Sequence, residues 1–172
     1  MLTFVLLSLL KRQYILKIKL LVIGKTDEKA LETLIQKYLI RIKGFSAFEL
    51  KLIPDIKNTK NMSENQQKEQ EGKRLLNEIL PGDKLVLLDE KGQEFSSEKF
   101  ADFLQKQMNA GLKNLVFVIG GPYGFSEAVY KRSDYKIALS QMTFSHQMVR
   151  LIFMEQLYRG LAILNHHPYH HI

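Results

Sequence analysis

Apolar and polar residues follow two repeating patterns from residue 17 onward. Short apolar runs that end in glycine, proline or polar residues predict strands, and apolar residues spaced three and four positions apart predict amphipathic helices. The predicted strands are residues 17–24, 48–53, 84–88, 115–119 and 136–139, and the predicted helices are residues 28–43, 64–80, 97–110 and 146–164, with a short helix that ends at Arg132. This alternation predicts an α/β fold with a mainly parallel sheet.

Polar residues at the boundaries predict where these elements begin and end. Asp27 is a predicted N-cap for the first helix, which is expected to end at Gly44. Ser63 and Gln66, three residues apart, form a predicted capping box for the second helix. Residues 89–92, which contain an aspartate and a glycine, predict a turn directly after the third strand.

The last predicted helix carries more apolar residues than one buried face requires. Its apolar residues at helical spacing are Met148, Leu151, Ile152, Leu157, Leu161 and Leu164, and the stripe is widened by Val149, Phe153 and Met154. Such a helix often buries its surplus apolar surface in a contact between subunits.

The length of 172 residues and the hydrophobic fraction of 45% fit one compact domain. Residues 1–10 are almost wholly apolar, but a membrane span takes about 20 such residues. They also lack the preceding basic segment and the cleavage pattern of a signal peptide. The chain has no cysteine, which excludes a disulfide framework and thiolate chemistry. We therefore expect a cytoplasmic protein without a membrane anchor.

The formal net charge of +7 favours an anionic partner, because lysine and arginine displace counterions from a phosphate backbone. The basic residues are scattered along the chain, and many basic enzymes bind no nucleic acid. Charge alone therefore leaves both possibilities open.

The glycine-rich segment 120–124 follows the most apolar predicted strand. Backbone without side chains can approach a ligand closely, although a plain turn between a strand and a helix explains the same sequence. The first strand ends in residues 24–27 (GKTD), which lack the G-x-G-x-x-G pattern of a dinucleotide site. A dehydrogenase is therefore disfavoured.

Charged and polar residues form three groups near the C terminus. His146 and Arg150 are predicted to share one helix face, either as a site for a polarised or anionic group or as a solvated helix start. Glu155 and Arg159 form a predicted structural salt bridge. The tail, residues 165–172, holds four of the five histidines but no carboxylate or thiolate at zinc-like spacing. No metal site is predicted.

Five segments carry a combined signature in their order and spacing. They are residues 87–89 (LLD), 117–124 (FVIGGPYG), 142–150 (MTFSHQMVR), 155–159 (EQLYR) and 165–170 (NHHPYH). Together they resemble the ribosomal RNA large-subunit methyltransferase H family of the SPOUT class. The resemblance runs from residue 17 to residue 171 and includes residues 70–72 (QEG), so residues 17–172 are expected to form a single SPOUT methyltransferase domain.

The resemblance implies a fold, a reaction and a set of site residues. The fold is a SPOUT-type parallel-sheet domain with a C-terminal deep trefoil knot, in a homodimer whose active sites lie at the interface and are completed by the partner's tail. The reaction is methylation of N3 of a pseudouridine in 23S ribosomal RNA, with S-adenosylmethionine as methyl donor and no metal. The implied cofactor-binding residues are Leu88, Gly120, Gly121, Leu139, Ser140, Gln141, Met142, Thr143 and Phe144. The implied catalytic residues are His146, Arg150, Tyr169 and His170, with Arg150 favoured for stabilising negative charge on the uracil carbonyls.

The sequence departs from the family pattern at three places. Ser145 stands where the family commonly has a proline, and His171 and Ile172 replace a basic ending. Residues 1–16 are expected to be a start-site extension, because family members commonly begin with methionine just before the first strand, where this chain has Leu16.

Two other functions fit the same residues. Pocket residues identify a methyl donor better than an acceptor, so a SPOUT methyltransferase acting on transfer RNA is an alternative. The basic charge and the altered tail also fit an RNA-binding module without catalysis. A small protein without an appended RNA-binding domain is expected to need the large surface of the assembled ribosome.

Overall fold

The computed structural model describes residues 16–169, which contain a five-stranded parallel sheet. The strands are β1 (Lys17–Ile23), β2 (Phe48–Ile53), β3 (Lys84–Glu94), β4 (Asn114–Ile119) and β5 (Tyr135–Ala138), in the order β2-β1-β4-β3-β5. The predicted α/β fold with a parallel sheet is confirmed. Most of the predicted N-terminal extension, residues 1–15, lies outside the described residues, as does the tail from His170 onward. Leu16 is described, and it is buried in the core.

Helices cover both faces of this sheet. They are α1 (Lys29–Lys43), α2 (Glu64–Leu76), α3 (Ser97–Asn109), α4 (Glu127–Arg132) and α5 (Met148–Leu164), with a 3-10 helix at Thr59–Asn61. Helix α5 packs against α1 and α3 on one face, where the rings of Phe117 and Phe153 lie 4.8 Å apart between centroids. Helices α2 and α4 cover the other face. The result is a three-layer α/β/α arrangement.

Two of the predicted helix starts differ from the structure. The predicted capping box is confirmed, because Ser63 Oγ accepts from the Gln66 N–H at 3.2 Å. The prediction that Asp27 caps α1 is wrong: the N-cap is Glu28, without a side-chain cap bond. The Asp27 carboxylate instead accepts from Gln147 Nε2 at 3.1 Å. Gln147 is itself the N-cap of α5, so His146 precedes that helix rather than beginning it.

Strand β3 is longer than its sequence predicts. Residues 89–92, where a turn is predicted, have no register partner on β5, because Leu88 and Gln93 both pair with Ile137. Pairing resumes at Gln93 and Glu94, so the prediction that this strand ends at Leu88 is wrong. Gly92 permits this pairing, since a Cβ there would lie 2.6 Å from the backbone of Ile137. The polar residues hide the strand from sequence patterns because they are largely exposed at its carboxyl end.

The segment between β5 and α5, residues 139–147, crosses the carboxyl ends of the strands. Gln141 Nε2 donates to Glu94 on β3 at 3.1 Å, and Thr143 Oγ1 donates to Glu90 at 3.3 Å. The segment ends at Gln147, which donates a hydrogen bond to Asp27, a residue that follows β1 in the chain. We call residues 139–147 the crossing segment. It forms one wall of the site described below.

No helix in the described part of the chain has both the length and the apolar character needed to cross a membrane.

Candidate active site

A cavity of about 600 Å³ opens at the carboxyl ends of β3 and β4, beneath the crossing segment. Its lining consists of Leu88, Asp89, Glu90, Lys91, Ile119, Gly120, Gly121, Pro122, Tyr123, Gly124, Phe125, Tyr130, Leu139, Ser140, Met142, Thr143, Phe144, Ser145, His146 and Val149. Its size is within the range of small-molecule sites. Ligands of open parallel sheets bind at this edge, outside the carboxyl ends of the strands.

The residues that the family resemblance assigns to the cofactor gather at this cavity, with one exception. The exception is Gln141, whose side chain binds Glu94 instead. Of the implied catalytic residues, His146 lines the cavity, whereas Arg150 and Tyr169 do not. His170 lies outside the described residues.

The glycine loop, residues 120–124, exposes backbone to the cavity. The Gly124 N–H donates to the Gly121 oxygen at 3.1 Å, and Gly124 has a φ of 77°, which favours glycine. A Cβ on Gly121 would lie 2.3 Å from Glu71 Oε2, so a side chain there would displace Glu71. The loop thus presents peptide groups, without side chains at Gly120 and Gly121, to a ligand.

Asp89 and Tyr130 form a polar wall of the cavity that the sequence motifs do not predict. The Tyr130 hydroxyl donates a short hydrogen bond to Asp89 Oδ2, and the Lys91 N–H donates to Oδ1 at 2.8 Å. Burial and the bond to Asp89 raise the pKa of the Tyr130 hydroxyl, which therefore remains a donor at neutral pH. Asp89 belongs to a family segment, but Tyr130 carries no sequence signal beyond its place on a short helix.

Arg150 is buried with 2% exposure, and its guanidinium binds backbone rather than facing the cavity. Nη1 donates to the Gly24 oxygen at 3.0 Å and to Thr26 Oγ1 at 3.1 Å. Nη2 donates to the Ile23 oxygen at 2.5 Å, and Nε donates to the His146 oxygen at 3.1 Å. Arg150 therefore fixes the backbone of His146 relative to the end of β1.

Two exposed carboxylates, those of Asp55 and Asp27, act on this buried guanidinium. Burial lowers the pKa of Arg150, and the carboxylates of Asp55 and Asp27 oppose that effect. An arginine side chain nevertheless stays protonated in proteins. The expected common face of His146 and Arg150 is not observed, because His146 lies before the helix and lines the cavity while Arg150 points into the core.

Tyr169 packs against residues of α1 and α5. Its ring lies 4.6 Å from the Tyr158 ring, and its hydroxyl is 3.3 Å from both Tyr38 Oη and Glu155 Oε1. The Arg159 guanidinium lies 4.9 Å from the Tyr169 ring centroid and 2.7 Å from Glu155, so the predicted salt bridge is confirmed. Burial and the bond to Tyr38 raise the pKa of Tyr169. This aromatic cluster anchors the start of the tail.

No cluster of three or more histidine, cysteine, aspartate or glutamate side chains suited to a metal ion occurs among residues 16–169.

Comparison with known proteins identifies the family. The family model described as "Predicted SPOUT methyltransferase" matches residues 16–170. Proteins named ribosomal RNA large subunit methyltransferase H are similar over nearly their whole length. The one from Flavobacterium psychrophilum is 62% identical over 156 residues, which cover 91% of this chain and 99% of the relative. The one from Christiangramia forsetii is 61% identical over 154 residues, with 90% and 98% covered. These matches confirm the resemblance predicted from the motifs, and the chain belongs to the SPOUT methyltransferase family.

Proposed function

We propose that this protein transfers a methyl group from S-adenosylmethionine to N3 of a pseudouridine in 23S ribosomal RNA. One observation carries the proposal: the segments that resemble the family's cofactor loops converge on a single cavity at the carboxyl edge of the sheet. The relatives named ribosomal RNA large subunit methyltransferase H support the choice of acceptor. Fold alone would not support it, because one fold serves many functions.

The cavity has features that suit the methyl donor. Peptide groups at Gly120 and Gly121 are open to hydrogen bonding with the adenosine part, and Leu88, Leu139 and Phe144 offer apolar surface for a ring. S-adenosylmethionine, when bound, supplies a methyl group on a positively charged sulfur. The protein's residues then need to orient the acceptor and assist loss of its N3 proton.

We propose His146 as the residue that receives the N3 proton, because its side chain lines the cavity. Arg150 acts as a positioning residue through its bond to the His146 backbone. We propose that Tyr169 anchors the tail and that His170, the next residue in the chain, acts in the site of the partner subunit. This arrangement requires a homodimer in which each site is composite.

Helix α5 supports the choice of dimer surface. Met148 is 39% exposed, and Leu151 and Ile152 are only partly buried although they are apolar. A second copy packed on this surface would bury them. We also propose that the C-terminal part is knotted as in other SPOUT proteins. The support is that the chain leaves the edge strand β5, crosses the strand ends and returns between α1 and α3 as α5.

The net charge of +7 supports an RNA partner, and we propose the assembled large subunit in the cytoplasm as the substrate. The test is methyl incorporation from labelled S-adenosylmethionine into undermodified ribosomes, with mass spectrometry of the nucleosides. Methyl on pseudouridine N3 in 23S RNA is the expected result. Donor binding without transfer to ribosomes would point to another RNA acceptor, such as transfer RNA, and failure to bind the donor would support an inactive RNA-binding module.

A further inference from the structure

Glu71 is a buried acid that the proposed chemistry does not use. It lies on α2 and is 3% exposed. Its Oε2 has no hydrogen-bond partner, and every other buried side-chain nitrogen or oxygen in the described part of the chain has one. Its other oxygen accepts from Gln67 Nε2 at 2.9 Å. Burying a carboxyl with incomplete hydrogen bonding destabilises a fold. The carboxyl is therefore better explained by a ligand than by stability.

The position of this carboxyl connects it to the cavity. Gly121 lines the cavity, and a Cβ on Gly121 would lie 2.3 Å from Glu71 Oε2 and 3.0 Å from Oε1. Because Gly121 has no side chain, none lies between the Glu71 carboxyl and the cavity at this position. Because the surroundings are buried, a charge on Glu71 is weakly screened and acts over a longer distance than a surface charge.

The charges around the cavity oppose the charge of the whole protein. The chain carries a formal net charge of +7, yet Asp89 and Glu90 line the cavity beside Lys91. Glu71 adds another carboxyl behind the glycine loop. Such surroundings favour a cationic ligand over a neutral ligand of the same shape.

We propose that Glu71 is a specificity-determining residue that makes the cavity prefer a sulfonium ligand to the corresponding neutral thioether. The inference rests on the proposed function, which supplies the two ligands: S-adenosylmethionine before transfer and S-adenosylhomocysteine after it. The preference favours exchange of product for donor, because loss of the methyl group also removes the positive charge that Glu71 attracts.

Because Glu71 is an acid, donor binding and stability should both depend on pH. Burial raises the pKa of Glu71, and Asp55 adds to this, whereas Gln67, Arg74 and His146 act in the opposite direction. A cationic ligand favours the ionised carboxyl, so donor binding should release a proton and should strengthen as pH rises through the raised pKa. In the free protein the folded state holds this proton more tightly than the unfolded state. The stability of the ligand-free protein therefore falls as pH rises over the same range.

The test is calorimetric titration of the full-length protein with each ligand, in buffers of different ionisation enthalpy, for wild type and Glu71→Gln. We expect Glu71→Gln to weaken donor binding about fivefold and product binding less than about twofold. Proton release on donor binding should disappear. The melting temperature of the ligand-free variant at pH 8 should rise by about 2 °C or more, because a buried charge has been removed.

Glu69→Gln is the matched control, because Glu69 is a partly exposed acid of the same helix that lines a separate outer groove. It should leave both affinities unchanged. Equal weakening of both ligands by Glu71→Gln, or a lower melting temperature with unchanged discrimination, would overturn the inference while leaving the proposed function intact. Wild-type protein that binds neither ligand would overturn the cofactor assignment and this inference together.

Discussion

Arg150 Nη1 donates to the backbone oxygen of Gly24 at 3.0 Å, which joins the start of α5 to the end of β1 across 126 positions of sequence. The same guanidinium holds the His146 backbone at the cavity. A residue that resembles a catalytic arginine thus has a positioning geometry in this chain. Its contribution to methyl transfer is expected to depend on hydrogen-bond geometry as well as on charge.

Arg150→Lys should therefore lose methyl-transfer activity although it keeps the positive charge. Lysine keeps the charge but lacks the planar array of donors, and Arg150→Met removes the donor to the buried carbonyls of Ile23 and Gly24. We expect Arg150→Met to lose about 2–4 kcal/mol of stability, and both variants to transfer methyl at least about 100-fold more slowly. Urea unfolding measures the loss of stability, and single-turnover kinetics measures the rate of methyl transfer. Lys37→Met, at an exposed position of α1, is the control. A fully active Arg150→Lys variant would contradict the positioning role.

Tyr130→Phe should loosen the cavity wall at Asp89. The variant keeps the ring and removes the hydroxyl that donates to Asp89. We expect donor binding to weaken about 3- to 10-fold with little change in fold stability. Burial raises the pKa of Tyr130, so the wild-type bond should persist through pH 10, the usual pKa, and be lost only at higher pH. Tyr135→Phe, outside the cavity lining, should leave binding unchanged, and equal losses in the two variants would refute the assignment.

Asp134 should stabilise the protein against acid. Burial alone would raise its pKa, but the Leu85 N–H at 2.8 Å and Lys84 Nζ at 2.9 Å, together with Arg132, lower it overall. The stabilisation is therefore present above the usual pKa of 3.8 and is lost as pH falls through the lowered value. Asp134→Asn should lose about 1 kcal/mol at pH 7 and little in strong acid.

Urea unfolding between pH 2 and pH 7 gives this comparison directly. Asp102→Asn, at an exposed position of α3, should show no pH-dependent difference from wild type. A stability loss in Asp134→Asn that is the same at every pH would show that its hydrogen bonds act without its charge.

The tail should be required for turnover but not for assembly. Removal of residues 168–172 takes away Tyr169, whose contacts with Tyr158 and Glu155 anchor the tail, and His170 beyond it. We expect turnover to fall at least about 100-fold, while light scattering still reports a dimer. Tyr169→Phe keeps the ring contacts and should retain more activity than Tyr169→Ala. Full turnover after truncation would exclude the composite site.

The sequence predicted the sheet well because buried parallel strands have strong apolar runs. It failed at β3, where exposed polar residues continue the strand, and at Asp27, whose carboxylate serves Gln147 rather than the helix start. Both errors involve partners more than 40 positions away in the chain. Local patterns contain no information about such distant partners, so the sequence around Asp27 cannot show that its carboxylate binds Gln147.

The site was predictable where motifs reach the cavity through backbone or neighbouring loops. Leu88, Gly120 and His146 therefore line it as the motifs suggest. Tyr130 was missed because it enters from a separate helix, and Glu71 was noted only as part of a family segment. Neither residue has a spacing that indicates its role, since both act through contacts that form only after the layers pack.

The crossing segment should tolerate insertions and deletions poorly. Loops usually tolerate changes in length, because their ends are fixed and their middle is free. This one is tied to Glu94 and Glu90 on one strand and to Asp27 beyond another. One added or deleted residue would shift its side chains away from the cavity or release a tie. The number of residues between β5 and α5 is thus less replaceable than several of the side chains they carry.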